Sequence, residues 1–213
     1  MRRIVSLVAC LSILAGCRGT RPAYYGKAQL GFGAILVGAR IITPNGESNV
    51  GLMEMNFESD NERYRIRFMP EETSLLRIEP DVYRLYPTRT PFGRVEARMR
   101  VRIDGRTYRV PFPRSVLRLR PFEVPPTKLL PVGILEARLL PIERGKRPII
   151  QVRLDDSVSA RRKLLESVID KQMNPKTEPN IRDSTITWTR ALEQALIRLQ
   201  GEEEEKRRYK PGR

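Results

Sequence analysis

The chain has no histidine. It therefore lacks the one side chain whose ordinary pKa lies near neutrality, and with it the commonest general base, proton shuttle and metal ligand. A serine–histidine–aspartate or cysteine–histidine site is excluded, and a zinc site is disfavoured. Cysteine is almost missing too: the two in 213 residues are Cys10 and Cys17. Both fall in the first seventeen positions, so no disulfide can brace the body of the fold even where oxidising conditions allow one. No glycine-rich phosphate loop, dinucleotide fingerprint or zinc signature occurs, and no cofactor is expected.

Charge of one sign is what the chain has in excess. Lys and Arg total 40 against 25 acidic residues, and losing Arg2 and Arg3 with an N-terminal leader leaves 38 against 25, a net +13. Such an excess draws a protein to phosphates, sulfated sugars and acidic lipids, while saying little about fold. With 40% hydrophobic and 31% charged residues, the composition suits a folded body rather than a disordered one. A chain of this length can bury roughly 70% of its unfolded surface, enough for one large domain or two small ones.

The start of the chain has its own organisation. Met1-Arg2-Arg3 is positive, and Ile4 to Leu14 is an apolar run of eleven residues. That run is too short to span a bilayer, which needs about 20. It closes with Leu14-Ala15-Gly16-Cys17, which resembles the lipobox of bacterial lipoproteins. The resemblance covers the first seventeen residues and requires positive start, apolar run and small residues before cysteine together. It implies that residues 1–16 are a signal peptide removed before Cys17, that Cys17 carries a diacylglycerol thioether, and that its new amine is acylated. At about 0.8 kcal/mol per buried methylene, two or three acyl chains hold a soluble body at a membrane. Arg18 stands where this family's inner-membrane proteins carry aspartate, which favours an outer membrane if the cell has one. Residues 17–27, with Gly19, Pro22 and Gly26, read as a lipidated tether. An exported location makes nucleic acid a poor partner.

From residue 28 to 155 the dominant period is two, the mark of half-buried strands. Candidates are Gln29 to Val37, Gly51 to Phe57, Tyr64 to Met69, Leu75 to Ile78, Val82 to Tyr86, Val116 to Arg120, Val132 to Leu139 and Ile149 to Leu154. Asp104-Gly105 suits a two-residue hairpin turn, because both positions tolerate positive φ. Pairing across that turn sets Val101 opposite Tyr108, Met99 opposite Val110 and Ala97 opposite Phe112 on one apolar face. The other face carries Arg94, Arg98, Arg100, Arg102 and Arg109. Tyr64, Ile66 and Phe68 likewise alternate with Arg63, Arg65 and Arg67. These arginines are the candidate binding residues for an anionic partner, since guanidinium forks match phosphate and sulfate geometry. The plainer account is that exposed strand faces carry charge for solubility and to discourage edge pairing.

Many short strands predict an antiparallel β-sandwich, Ig-like or transthyretin-like. The stretch Leu76-Arg77-Ile78-Glu79-Pro80-Asp81-Val82-Tyr83-Arg84-Leu85 resembles the proline, glycine, x, tyrosine, x, leucine corner of transthyretin-like and carboxypeptidase-regulatory-like sandwiches, with Asp81 in the glycine position.

Beyond Leu154 the period turns helical. Asp155, Asp156 and Ser157 offer capping oxygens to a helix ending at Asn174-Pro175. After a polar loop, a second helix is predicted from Ser184 or Thr185, with Trp188, Ala191, Leu192, Ala195, Leu196 and Leu199 on one stripe. Residues 156–200 are thus expected to form a helical hairpin packed on the sandwich. Residues 201–213 form a charged tail in which Glu202–Lys206, Glu203–Arg207 and Glu204–Arg208 are spaced to support the helix.

Other constellations read as structural. Glu58, Asp60 and Glu62 with Asn61 offer calcium-type oxygens without a calcium-loop spacing. Adjacent Asp155 and Asp156 suit a helix start better than acid–base chemistry. Ser159 and Lys163 sit one turn apart without supporting groups, and Trp188 suits a packing anchor. The composition and leader together predict a membrane-anchored envelope lipoprotein that is not an enzyme. It would bind an anionic partner such as lipopolysaccharide, acidic lipid or polysaccharide, or an envelope protein. A histidine-free envelope hydrolase or transferase, and a surface adhesin for host matrix, are the alternatives.

Overall fold

The computed structural model describes residues 21–22, 26–48, 51–70, 73–86, 98–111, 121–141 and 148–209. The lipobox with Cys17, Arg94, and the strand expected over Val116 to Arg120 lie outside them. The described strands are β1 (Arg21–Pro22), β2 (Gly33–Thr43), β3 (Gly46–Ser48), β4 (Gly51–Glu58), β5 (Arg63–Phe68), β6 (Thr73–Ile78), β7 (Asp81–Tyr86), β8 (Arg98–Ile103), β9 (Arg106–Pro111), β10 (Phe122–Val124), β11 (Leu129–Leu139) and β12 (Ile150–Asp155). The helices are α1 (Val158–Met173), α2 (Pro179–Ile186) and α3 (Thr189–Arg208).

The strands form two sheets. In the first, β12, β11 and β2 lie side by side, and the far edge of β2 is shared by β6 along Gly33–Gly38 and by β3 along Ile41–Thr43. In the second, β4 is central: β5 flanks one side, while β8 and β7 divide the other. β9 extends this sheet beyond β8, β10 beyond β7, and β1 beyond β5.

The sheets are mixed, not purely antiparallel as expected. β11 runs parallel to β2 from Leu129↔Ala34 onward, and β1 runs parallel to β5. A parallel pair needs a long crossover. The chain between β2 and β11 supplies one by building most of the second sheet on the way.

β2 explains the layering. Gly33 through Ala39 are all buried, because both faces of the strand are covered. Ile35, Val37, Ala39 and Ile41 join Met53, Phe57, Tyr83 and Val101 in a core between the sheets. Ala34 and Leu36 join Leu164, Leu165, Val168, Trp188, Leu192 and Leu199 in a second core beneath the helices. The order of layers is therefore arginine-bearing sheet, β2–β11 sheet, helices. Gly38 lets α1 approach closely: a Cβ there would stand 2.8 Å from the Leu164 side chain.

The corner singled out in the sequence is closed by a hydrogen bond. Tyr83 is buried, and its hydroxyl donates to the Glu79 carbonyl at 2.8 Å. The Glu79 N–H donates to the Tyr64 hydroxyl at 3.3 Å. Burial pushes the Tyr83 phenol well above its ordinary pKa. The Tyr83–Glu79 bond ties β7 back to the chain just after β6.

The helical layer differs from the expected hairpin, because the loop before the second helix itself contains a helix. Pro179 occupies the first turn of α2, where its missing N–H costs nothing and its fixed φ suits the helix. The chain then breaks at Trp188, which turns inward, is 2% exposed and donates from Nε1 to the Gly26 carbonyl at 3.0 Å. The charged segment is continuous with α3 through Arg208. Its Glu202 and Glu203 reach across to Arg161 and Arg162 of α1, tying the two long helices together. Ser157 is the N-cap of α1, its hydroxyl accepting from the Ala160 N–H, while Asp155 accepts from the Ser157 N–H.

A candidate anion-binding face

The β8–β9 hairpin is built by its own residues. Asp104 and Gly105 take φ of 47° and 79°, the double positive φ of a tight hairpin turn. Val101 pairs with Tyr108 and Met99 with Val110. Val101, Ile103 and Val110 are buried in the inter-sheet core. Alternation then sends Arg100, Arg102 and Arg109 to the opposite face, where all three are exposed. Arg100 stands directly across from Arg109, and Arg102 across from Thr107. Among the described residues no hydrogen bond or ion pair engages the side chains of Arg100, Arg102 or Arg109.

The tertiary fold brings the second arginine row to the same sheet. β4 lies between the two rows: Leu52 registers with Arg102 on one side, and Glu54, Asn56 and Glu58 register with Arg67, Arg65 and Arg63 on the other. Arg67 donates from Nε to Glu54 at 2.9 Å, and Glu54 is 7% exposed. Arg63, Arg65 and Arg98 are placed by backbone register, at positions alternating with Tyr64, Ile66 and Met99. Two residues not singled out from the sequence also belong here. Arg84 is exposed on β7, registering with Glu58, and Arg106 is exposed where β9 begins. Arg84 was legible in principle, since it alternates with Tyr83 inside the corner motif.

The face therefore has two halves with different electrostatics. Along β4–β5 the carboxylates Glu54 and Glu58 are buried among the strands. Along β8–β9 the guanidinium groups of Arg100, Arg102 and Arg109 project without acidic partners among the described residues, so their donors are available to an external anion.

A second charged cluster was not foreseen. On the helix-facing side of the first sheet, Glu136 is 2% exposed and accepts from Arg40, from Arg153 at 3.0 and 3.1 Å, and from Arg138 at 3.3 Å. Arg40 and Arg153 are its direct cross-strand neighbours on β2 and β12. Burial alone would raise the Glu136 pKa; the hydrogen bonds from Arg153 and Arg40 outweigh it and hold the carboxyl below its ordinary value. The signal in the sequence was three separated arginines and one glutamate on strands whose neighbours no local pattern reveals.

The remaining candidates have structural surroundings. In the turn after β4, the Ser59 hydroxyl accepts from the Asn61 and Glu62 N–H groups, and Asn61 donates to Asp81 at 3.2 Å. The Ser59 hydroxyl, then the Val82 N–H, lower the Asp81 pKa. Ser159 and Lys163 are both exposed on α1. A cavity of about 380 Å³ opens beside Phe122, Val132, Leu154, Ser157 and Arg161. Of its polar lining, Ser157 caps α1 and Arg161 is bidentate with Glu202, while Asp156 and Lys206 stand at its rim.

No protein-family model, curated protein or solved structure matches this chain.

Proposed function

We propose that this protein is a cell-envelope lipoprotein, anchored through acyl chains on Cys17, that acts without catalysis by presenting an arginine-bearing sheet to an anionic envelope component. The observation carrying the reading is the outer face of the β8–β9 hairpin, where Arg100, Arg102 and Arg109 are exposed and free of carboxylate partners. A solvated face kept only for solubility is better served by mixed charge. The lipobox residues Leu14-Ala15-Gly16-Cys17 support the envelope location, and with it lipopolysaccharide, acidic lipid or acidic polysaccharide as partner. The Tyr83–Glu79 corner supports a sandwich of transthyretin-like type.

Two measurements test this. Intact mass of the native product is expected to show loss of residues 1–16 and hydrocarbon added at Cys17; a bare thiol or an uncut amino end removes the anchor. The chain carrying Cys17→Ser is expected to be retained on an immobilised polyanion, with retention falling as salt rises and when Arg100, Arg102 and Arg109 become glutamate. Retention indifferent to both changes removes the binding face.

A further inference from the structure

We infer that the anionic partner of the β8–β9 arginine face is the acidic phospholipid headgroup layer of the same bilayer in which the Cys17 acyl chains sit, so that the domain lies on its own membrane with this face down. The inference rests on the proposed anchor and binding face, and adds which surface is bound and in which posture.

The first support is where the chain enters the fold. Arg21 and Pro22 pair with Tyr64 and Arg65 of β5, an edge position in the arginine-bearing sheet. Four backbone steps separate Cys17 from Arg21, at most about 14 Å of chain at full extension. The edge of this sheet is therefore held within that distance of the lipid, whatever path those residues take. The helical layer is on the far side of the β2–β11 sheet. Yet the chain meets the helices only four residues after Pro22, where the Gly26 carbonyl accepts from Trp188, so the tether's length by itself leaves the helical layer as an alternative posture.

Charge selects among the postures that remain. The end of the sheet at the β4–β5 turn carries Asp60 and Glu62, with Asp81 linked to it through Asn61. An end-on posture would press these carboxylates against acidic lipid. Val158 through Arg208 contains eleven basic and nine acidic residues, and several of these are already paired between α1 and α3. That layer is nearly balanced. The outer face of the β8–β9 hairpin combines exposed cations, no competing carboxylate partner and a position in the tethered sheet. A multivalent layer of phosphates also suits a flat face better than a single small anion does, because Arg100, Arg102 and Arg109 do not converge on a pocket.

Vesicle flotation separates this from binding to a soluble polyanion. Mature chain with Cys17→Ser is mixed with phosphatidylcholine vesicles, with vesicles containing phosphatidylglycerol, and separately with heparin. Association is expected with the phosphatidylglycerol vesicles alone among the lipids. It should weaken by about 100-fold in R100E/R102E/R109E, at roughly fivefold per lost basic contact. Reversal of the helical-layer residues Arg182 and Arg190 should change it little. Circular dichroism of each variant verifies that the fold survives. Heparin binding without vesicle binding overturns the membrane inference and leaves the anionic face standing; failure of both overturns both.

Posture is read on the lipidated protein. The mature chain has no cysteine besides Cys17, so a fluorophore can be attached uniquely through Thr107→Cys on β9 or Gln194→Cys on α3. A headgroup-attached quencher is expected to quench the Thr107 position strongly and the Gln194 position weakly. Equal quenching, or the reverse order, overturns the inference even where Cys17 is fully lipidated.

Discussion

Arg100 and Arg109 stand directly opposite each other on adjacent strands, both exposed and neither paired with a carboxylate among the described residues. Like charges in that register destabilise a hairpin by roughly 0.2–1 kcal/mol. The fold tolerates the cost because the apolar side of the same strands is locked into the inter-sheet core by Val101, Ile103 and Val110. Such repulsion is relieved when an anion spans both guanidinium groups. Arg109→Glu should therefore raise the thermal midpoint modestly, by converting a repulsive pair into an attractive one, while weakening retention on a polyanion. Opposite movement of the two readouts marks residues kept for binding; a midpoint that falls would show that the pair is not strained.

Tyr83→Phe removes one hydroxyl and keeps the ring. The Glu79 carbonyl loses its donor across the corner, and the expected loss is about 0.5–1.5 kcal/mol in urea unfolding. Binding to polyanions should be unchanged, because the corner lies in the support of the face rather than in it. A neutral effect on stability would mean that the corner is not held by this bond.

Glu136 supplies a pH dependence whose sign follows from its lowered pKa. The unfolded carboxyl has its ordinary value near 4.5, and the folded one titrates below that. Its contribution to stability is complete above the unfolded value and is lost as pH falls through the folded one. The thermal midpoint should thus drop on acidification below about pH 4.5 more steeply in the native chain than in Glu136→Gln. At neutral pH that variant should cost less than the about 3–5 kcal/mol of a fully buried broken pair, since its arginine partners reach water. Parallel pH profiles for the two proteins would contradict the assignment.

Trp188 is the single tryptophan and lies in the core between helices and sheet. If that core joins both layers into one cooperative unit, tryptophan fluorescence and far-ultraviolet circular dichroism will report the same unfolding midpoint. Trp188→Phe, followed by circular dichroism alone because it removes the fluorophore, should lower that midpoint, since it empties part of the core and removes the bond to Gly26. Separate transitions would identify the helical region as an independent domain.

Local chemistry made much of this architecture legible. The Asp104-Gly105 turn, the Val101–Tyr108 register and the boundaries of β4, β5 and β7 follow from turn residues and period-two alternation, which neighbours in sequence decide. The start of α1 was legible for the same reason, in its capping oxygens and its stop at Asn174. β2 was harder. It was expected over Gln29 to Val37 but runs from Gly33 to Thr43, because a strand buried on both faces shows an unbroken apolar run instead of alternation. β3 and β10 are three residues each, too short for any period. α2 was hidden behind Pro179, a residue that reads as a breaker until its place in the first turn is known.

By itself the sequence determined that no histidine is present to do chemistry, that Leu14 to Cys17 resemble a lipobox, and that its strands carry arginines opposite apolar residues, since composition and spacing alone decide these. The tertiary structure decided that both arginine rows share one sheet around β4, that the β8–β9 half is the one left unneutralised, and that β2 and β11 run parallel. The reason is physical: strand partnership is made by contacts between residues far apart in the chain, and the charge a face presents depends on which distant carboxylates the fold lays beside it.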